Sequence, residues 1–439
     1  MKKIKGCILW AVAVLLLTGC SMNTVDKMYC IPKRSEEFAE LQAQIDHAMT
    51  GLEYSAPRSG ENQQTVQMAD LDGDGEDEYL VFAKSFAEKP MRILIFDQVG
   101  DSFSLVYNIE SNGSDFDKIE YVQMDLTPGL ELVVGLQVSN QVPRSVSIYS
   151  FTAKGAERLL KTDYSKMLTV DLDMDNFKEL FILRPGQTET DNGIAELYGI
   201  VDGVMERTNE VSISVPADKL KRVLIGQLYD GETAVFMASS MGDNALITDV
   251  FSCRDDVLVN VSLSNESGTS VQTMRNYYVY SEDIDNDGIV ELPDLIPMQT
   301  LDSTQNTERR ELIRWYAMKA DGSEVDKMYT YHDFLGGWYL KLDEDWAPRL
   351  TVQQTGNEYI FYIWTEAFDR ADKIVTIYAL PNTSREASQR SIHSFVILKT
   401  DSVTYTARLE YGASQYDITQ ESMIRDFHRI HQVWKTGEM

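Results

Sequence analysis

The chain has 439 residues, 43% hydrophobic and 10% aromatic, a composition that builds two or three globular domains. Lys and Arg total 40 against 69 Asp and Glu, so the formal charge is −29. This balance argues against nucleic acid as a partner, because phosphate recognition needs a basic footprint, and it disfavours electrostatic binding to anionic lipid headgroups.

The chain opens "MKKIKGCILWAVAVLLLTGC": three lysines, a short apolar run, then small residues before a cysteine. The run is too short for a comfortable membrane span and reads as a secretory signal. "LTGC", residues 17–20, resembles the lipobox of bacterial lipoproteins. The resemblance implies a signal peptide over residues 1–19, cleavage before Cys20 and acylation of that cysteine. Residues 20–34 then form a lipidated tether. A diacylglyceryl Cys20, bearing palmitate-like chains, would hold the protein at the extracytoplasmic face of the cell membrane. Cys7 leaves with the signal. Cys30 and Cys253 remain, and both a disulfide and two free thiols stay open. There is no CxxC and no zinc spacing.

Residues 35–59 read as an amphipathic helix and lead-in. Phe38, Leu41, Ile45, Ala48 and Met49 share one helical face. Ser35 is the expected N-cap, with Glu36 and Glu37 in the first turn.

A repeat then begins. "DLDGDGEDEYLVF" starts at Asp70, "DLDMDNFKELFIL" at Asp171 and "DIDNDGIVELPDL" at Asp283. Worn copies, "DLTPGLELVVG" and "QLYDGETAVFM", start at Asp125 and Gln227. The residue before each apolar run is Glu78, Glu131, Glu179, Thr233 or Glu291, at steps of 48 to 58 residues. A strand–turn–strand pattern follows each copy, as in "ILIFDQVGDSFSLVY". Each unit therefore reads strand, acidic loop, strand, strand, turn, strand, with Val66–Ala69 as the first strand of all. Four strands in about 50 residues suit one propeller blade. The expected fold is mainly β: a β-propeller of about five blades over residues 60–332. An open β-array or a β-sandwich is the competing architecture.

Beyond that the phase is lost. Residues 333–439 read as a small α+β domain with four strand-like runs and a final helix. Met423, Phe427, Ile430 and Trp434 form its stripe, Thr419 its cap and Ile418 a staple onto Met423. His428 and His431 fall on this helix as a half-buried or surface pair.

In the three full loops, carboxylates stand at positions 1, 3, 5 and 9. A carbonyl at position 7, from Glu76, Phe177 or Ile289, can join them. Calcium takes six to eight oxygen ligands at about 2.3–2.6 Å, which such a loop can wrap. Gly75 and Gly288 at position 6 permit positive φ, and Asn176 tolerates it. Two carboxylates about 4 Å apart repel by roughly 1 kcal/mol in water and more at low dielectric. A cation turns that repulsion into a clamp. An EF-hand is ruled out because it needs a bidentate acid at position 12, where Val81 and Ile182 stand. Asp294 holds that place in the third loop, but Pro293 and Pro297 oppose an exiting helix.

The pattern resembles the FG-GAP/VCBS repeats of integrin-like propellers, D-x-D-x-D-G-x-x-D before an apolar strand. The resemblance implies Ca2+ held by Asp70, Asp72, Asp74 and Glu78; by Asp171, Asp173, Asp175 and Glu179; and by Asp283, Asp285, Asp287 and Glu291. Glu replaces Asp at the last ligand in all three. The second and fourth units are read as having shortened loops and no metal.

No GxSxG, HExxH or P-loop occurs. Trp315, Trp338, Trp346 and Trp364 are read as core rather than a sugar-stacking surface. The expected function is a non-enzymatic, lipid-anchored, calcium-stabilised envelope scaffold that binds an extracellular glycan or protein. A polysaccharide hydrolase and an accessory or sensor subunit of an envelope complex are the alternatives.

Overall fold

The computed structural model describes residues 36–100, 102–138, 144–152, 155–186, 191–201, 203–242, 244–276, 279–301, 310–383 and 394–430. The expected signal, tether, Cys20, Cys30, Ser35, His431 and Trp434 lie outside the described residues. Among those described, no helix is long and apolar enough to cross a membrane. The chain divides into two compact units, Met1–Ile119 and Glu120–Met439. Its described strands form six antiparallel sheets.

In the first unit, the helix Glu36–Ala48 packs on the first sheet. Leu41, Ile45 and Met49 are buried against Val81, Ala83, Leu94 and Phe96. Phe38, expected in the same stripe, is half exposed, and with Tyr54, Val66 and Tyr79 it lines a surface groove. The sheet pairs Val66–Ala69 with Glu78–Lys84, then Met91–Val99 and Ser102–Ser111. The short strand Glu53–Tyr54 also pairs with Glu78–Lys84.

The second sheet runs Asp115–Val122, Glu131–Gln137, Arg144–Thr152, Gly155–Tyr164. The third runs Lys166–Val170, Glu179–Arg184, Ile194–Val201, Val204–Ser212. The fourth runs Leu220–Gln227, Thr233–Met241, Ala245–Arg254, Val257–Asn260. Each is a meander in chain order. In the fifth, the expected first strand shrinks to one bridge between Glu282 and Glu291. Glu291–Pro297, Glu311–Met318 and Glu324–Asp333 follow.

The inner strands explain the stacking. Leu180 and Ile182 point into a core shared with Val133 and Val146 of the second sheet. Phe181 and Leu183 point the other way, onto Val235 and Phe251 of the fourth. Ala234 and Phe236 then meet Leu292 and Tyr316 of the fifth. A strand covered on both faces needs a continuous apolar run, and this is what "ELFILR" and "TAVFMA" supply.

The C-terminal part differs from the expected separate domain. Trp338–Leu342 stays in the fifth sheet, next to Glu324–Asp333. A sixth sheet, ordered 350–355, 358–364, 371–381, 403–409, 395–399, packs on the fifth through Trp338, Phe361 and Ile377. The final helix is shorter than its stripe predicts. It covers only Gln420–Asp426, and Phe427–Arg429 leaves it as a strand paired with Trp338–Leu342. Phe427 stacks on Trp338 at 4.8 Å, and His428, on this strand and not on a helix, stacks on Tyr339. The cap is present: the Ser422 amide donates to the Thr419 hydroxyl, and the Thr419 amide donates to the Ser422 hydroxyl. Trp315, Trp338 and Trp346 are buried in cores.

Candidate metal centres

The acidic loops from Asp70 and Asp171 join the first and second strands of their sheets, and the loop from Asp283 joins the Glu282 bridge to the strand Glu291–Pro297. Position 2 is an apolar plug, Leu71, Met124, Leu172 or Ile284, buried beneath the loop. Its backbone amide donates to the glutamate that opens the next strand. Leu71 N reaches Glu78 Oε2 at 2.7 Å, Leu172 N reaches Glu179 Oε2 at 2.9 Å, and Ile284 N reaches Glu291 Oε2 at 3.0 Å. The extra methylene of Glu over Asp lets the side chain span this gap. One oxygen is fixed, and the other stays turned into the loop. Glu78 Oε1 and Glu291 Oε1 are buried and accept no hydrogen bond, and in the second site the orphan is Asp171 Oδ1.

The aspartates fold the loops around the same points. Asp70 accepts from Gly73 N at 2.7 Å and Gly75 N at 3.1 Å. Asp171 accepts from Asn176 N at 3.1 Å, and Asp283 from Asp287 N and Gly288 N at 3.0 and 2.9 Å. Gly75 and Gly288 take φ values of 93° and 90°, and Asn176 takes 75°, which a β-branched residue would resist.

Of the twelve predicted ligands, nine come together. Oxygens of Asp70, Asp72 and Glu78 lie within 4.8 Å of one another, as do those of Asp171, Asp173 and Glu179, and of Asp283, Asp285 and Glu291. Asp74, Asp175 and Asp287 are not in these triads. Each instead accepts from the amide two residues on, Glu76, Phe177 or Ile289. Burial is the main cause that raises the glutamates, with the neighbouring aspartates adding to it. Glu78 and Glu291 are pushed up to about 7 and Glu179 to about 8. Asp97, on the third strand of the first sheet, is raised by burial and by the charges of Asp72 and Asp74. It is a fourth acid beside the first site that the repeat pattern did not flag.

The donor set is all oxygen and anionic, with no imidazole or thiolate in the triads. It fits a hard divalent cation, and the orphaned buried oxygens are the atoms such an ion would satisfy. A bound ion would supply the positive charge that lets every carboxylate stay ionised.

The other two units depart from the pattern in different ways. The fourth has a truly short link: Leu228 N donates to Glu232 O at 2.8 Å, and Thr233 stands in the glutamate's place. The second is not shortened, contrary to expectation. Gln123 to Glu131 spans the same interval as Asp70 to Glu78, and Met124 N donates to Glu131 Oε2 at 2.9 Å. What changes is position 1. Gln123 replaces Asp, and its amide nitrogen donates to the carbonyls of Asp125 and Thr127. A neutral donor thus holds that loop together.

In the third site a side chain that sequence reading missed stands against the acids. Lys327 Nζ pairs with Asp287, and lies 3.7 Å from Asp285 and 3.8 Å from Glu291 Oε1.

No family model matches the chain, and no curated protein matches it. Among solved structures it is similar to a protein from Lactobacillus plantarum, with TM-score 0.26 and 8% identity over 72% of this chain and 85% of that one. It is also similar to the exotype rhamnogalacturonan lyase YesX, with TM-score 0.28 and 12% identity over 74% of this chain and 65% of that one. A Bacillus licheniformis rhamnogalacturonan lyase gives TM-score 0.29 and 10% identity over 73% and 72%. At such TM-scores these likenesses carry no argument about activity.

Proposed function

We propose that this chain is a calcium-stabilised, blade-like β scaffold of the FG-GAP/VCBS kind. It is lipid-anchored through Cys20 at the extracytoplasmic face, and it presents its loops to a glycan or protein ligand. The observation that carries the proposal is the recurring loop: a glutamate pinned by the amide of a buried plug, with orphaned oxygen beside two aspartates. Three such loops, in equivalent places of three sheets, serve a ring or stack of β-units better than they serve chemistry. The ions' role is structural, since they tie the first strand of a unit to the second. The anchor rests on the lipobox alone.

The test is a thermal melt of the EDTA-stripped protein with calcium or magnesium added back. Calcium at about a hundred times its Kd should stabilise by roughly 2.7 kcal/mol if one site dominates. Magnesium should do less, because it demands tight octahedral geometry and sheds water reluctantly. No shift with either ion would remove the calcium reading. Labelled palmitate incorporated into wild type but not Cys20→Ala would support the anchor. A pull-down on envelope and host glycans, with and without EDTA, addresses the ligand. Turnover of a polysaccharide by the same preparation would replace the scaffold with an enzyme.

A further inference from the structure

Four of the sheets share a feature that the repeat pattern does not spell out. The hairpin of the third and fourth strands carries a β-bulge at one fixed place. Ile95 and Phe96 face Tyr107 and Leu105, which skips Val106. Ile148 and Tyr149 face Leu160 and Arg158, which skips Leu159. Leu197 and Tyr198 face Asn209 and Arg207, which skips Thr208. Trp315 and Tyr316 face Met328 and Asp326, which skips Lys327. A bulge re-aims the side chain it carries.

In two sheets the structure gives the direction of that side chain. A Cβ built on Gly199 would lie 3.6 Å from Thr208 Cγ2 and 3.8 Å from Glu179 Cγ, so the bulge residue and the loop glutamate flank the same point of the third sheet. Lys327, at the same register, reaches Asp287, Asp285 and the buried orphan oxygen of Glu291. Its side chain is 15% exposed, which makes it a tethered ammonium held within the acidic loop. The residue after the bulge partner varies too. It is Asp97 in the first sheet, Gly199 in the third and Ala317 in the fifth.

We infer that the bulge residue decides what fills each acidic loop: Lys327 closes the third with its own charge, while Val106 and Thr208 leave the first and second open to a divalent ion. The part concerning the first two loops rests on the calcium reading above. One lysine charge on a side chain already attached to the fold costs rotamer entropy but no translational entropy, and a divalent ion must displace it to enter. Asp97 adds a carboxylate beside the first loop, so that loop should bind most tightly.

The test is equilibrium dialysis of the detergent-solubilised full chain against radiolabelled calcium, for wild type, Lys327→Val and Thr208→Lys. Lys327→Val should take up one more ion per chain than wild type, and Thr208→Lys one fewer. The difference between variants tests the bulge, whereas the wild-type count tests the calcium reading. An unchanged count in Lys327→Val overturns the inference. Should that variant fail to fold, an unchanged count in Thr208→Lys overturns it equally. A wild-type count of zero would sink the calcium reading and, with it, the claim that Val106 and Thr208 leave their loops open.

Discussion

Glu78 is a carboxylate with one satisfied oxygen and one orphan, and burial holds its pKa up to about 7. Between its ordinary value of 4.5 and about 7, the folded state keeps a proton that the unfolded chain has lost. Stability from this group is therefore full below 4.5 and is lost as pH rises through 7, and Glu179 behaves likewise up to about 8. Calcium must expel those protons. Its stabilising effect should thus be small near pH 5 and largest near pH 8, and melting with calcium or EDTA at both values measures it. Equal shifts at both would mean that the glutamates do not bind the ion. His332 titrates with the opposite sign. It is enclosed by Trp315, Phe334 and Tyr339, its ring 5.1 Å from the last, and burial drives it down to about 3. Its stability contribution is lost as pH falls from about 6.5 towards 3. At pH 5 the loss should be about 2 kcal/mol. His332→Phe keeps an aromatic ring and should flatten the urea-midpoint drop between pH 7 and pH 5 by that amount. An identical drop in both proteins would refute the assignment.

At the scale of elements, the fourth sheet, which lacks an acidic loop, is tied together by a buried carboxylate in mid-strand, opposite Met237. Asp249, buried on strand Ala245–Arg254, accepts from Ser214 N and Oγ at 2.9 and 2.5 Å, Asn260 Nδ2 at 2.8 Å and Ser270 Oγ at 2.6 Å. One carboxylate thus ties together the lead-in, the edge strand and the following loop. Asp249→Ala should cost about 3–5 kcal/mol in urea unfolding, since it strands several buried donors. Asp249→Asn, which keeps one acceptor oxygen, should cost less. A loss below about 1 kcal/mol for the alanine variant would mean that water replaces the network. The acidic loops, the hairpins and the amphipathic helix were legible in the sequence because each is a local pattern: charge meeting an apolar run, alternation, a 3.6-residue stripe. Lys327 was not, because strand pairing, not spacing, brings it to Asp287. Gln123 was missed because Asp125 looked like the start of the loop, when it is the third position. The last helix ends early for a similar reason. Its stripe predicts about two more turns, but Trp338–Leu342 offers an open edge and an aromatic face to Phe427, a tertiary gain that local periodicity cannot register.

Across the whole molecule, two kinds of charge effect have to be separated. The formal charge of −29 repels itself at long range. The triads repel at short range, with oxygens within 4.8 Å. Salt acts on the first and hardly on the second. Raising ionic strength from about 0.01 to 0.15 M shortens the Debye length from about 30 to about 8 Å, which screens distant charges but still exceeds the spacing inside a loop. The burial of Glu78 and Glu291 weakens screening further. The sheets also share cores from the second to the fifth, so a loop that opens loosens two neighbours and not only its own strands. For the EDTA-treated protein, sodium chloride should raise the melting temperature modestly and then level off. Calcium added at 0.15 M salt should raise it again by most of its low-salt increment. The measurement is a pair of calorimetric melts, with and without calcium, at each ionic strength. If sodium chloride alone reproduces the full calcium increment, the acids act as diffuse surface charge, and no loop in this chain is a built ion site.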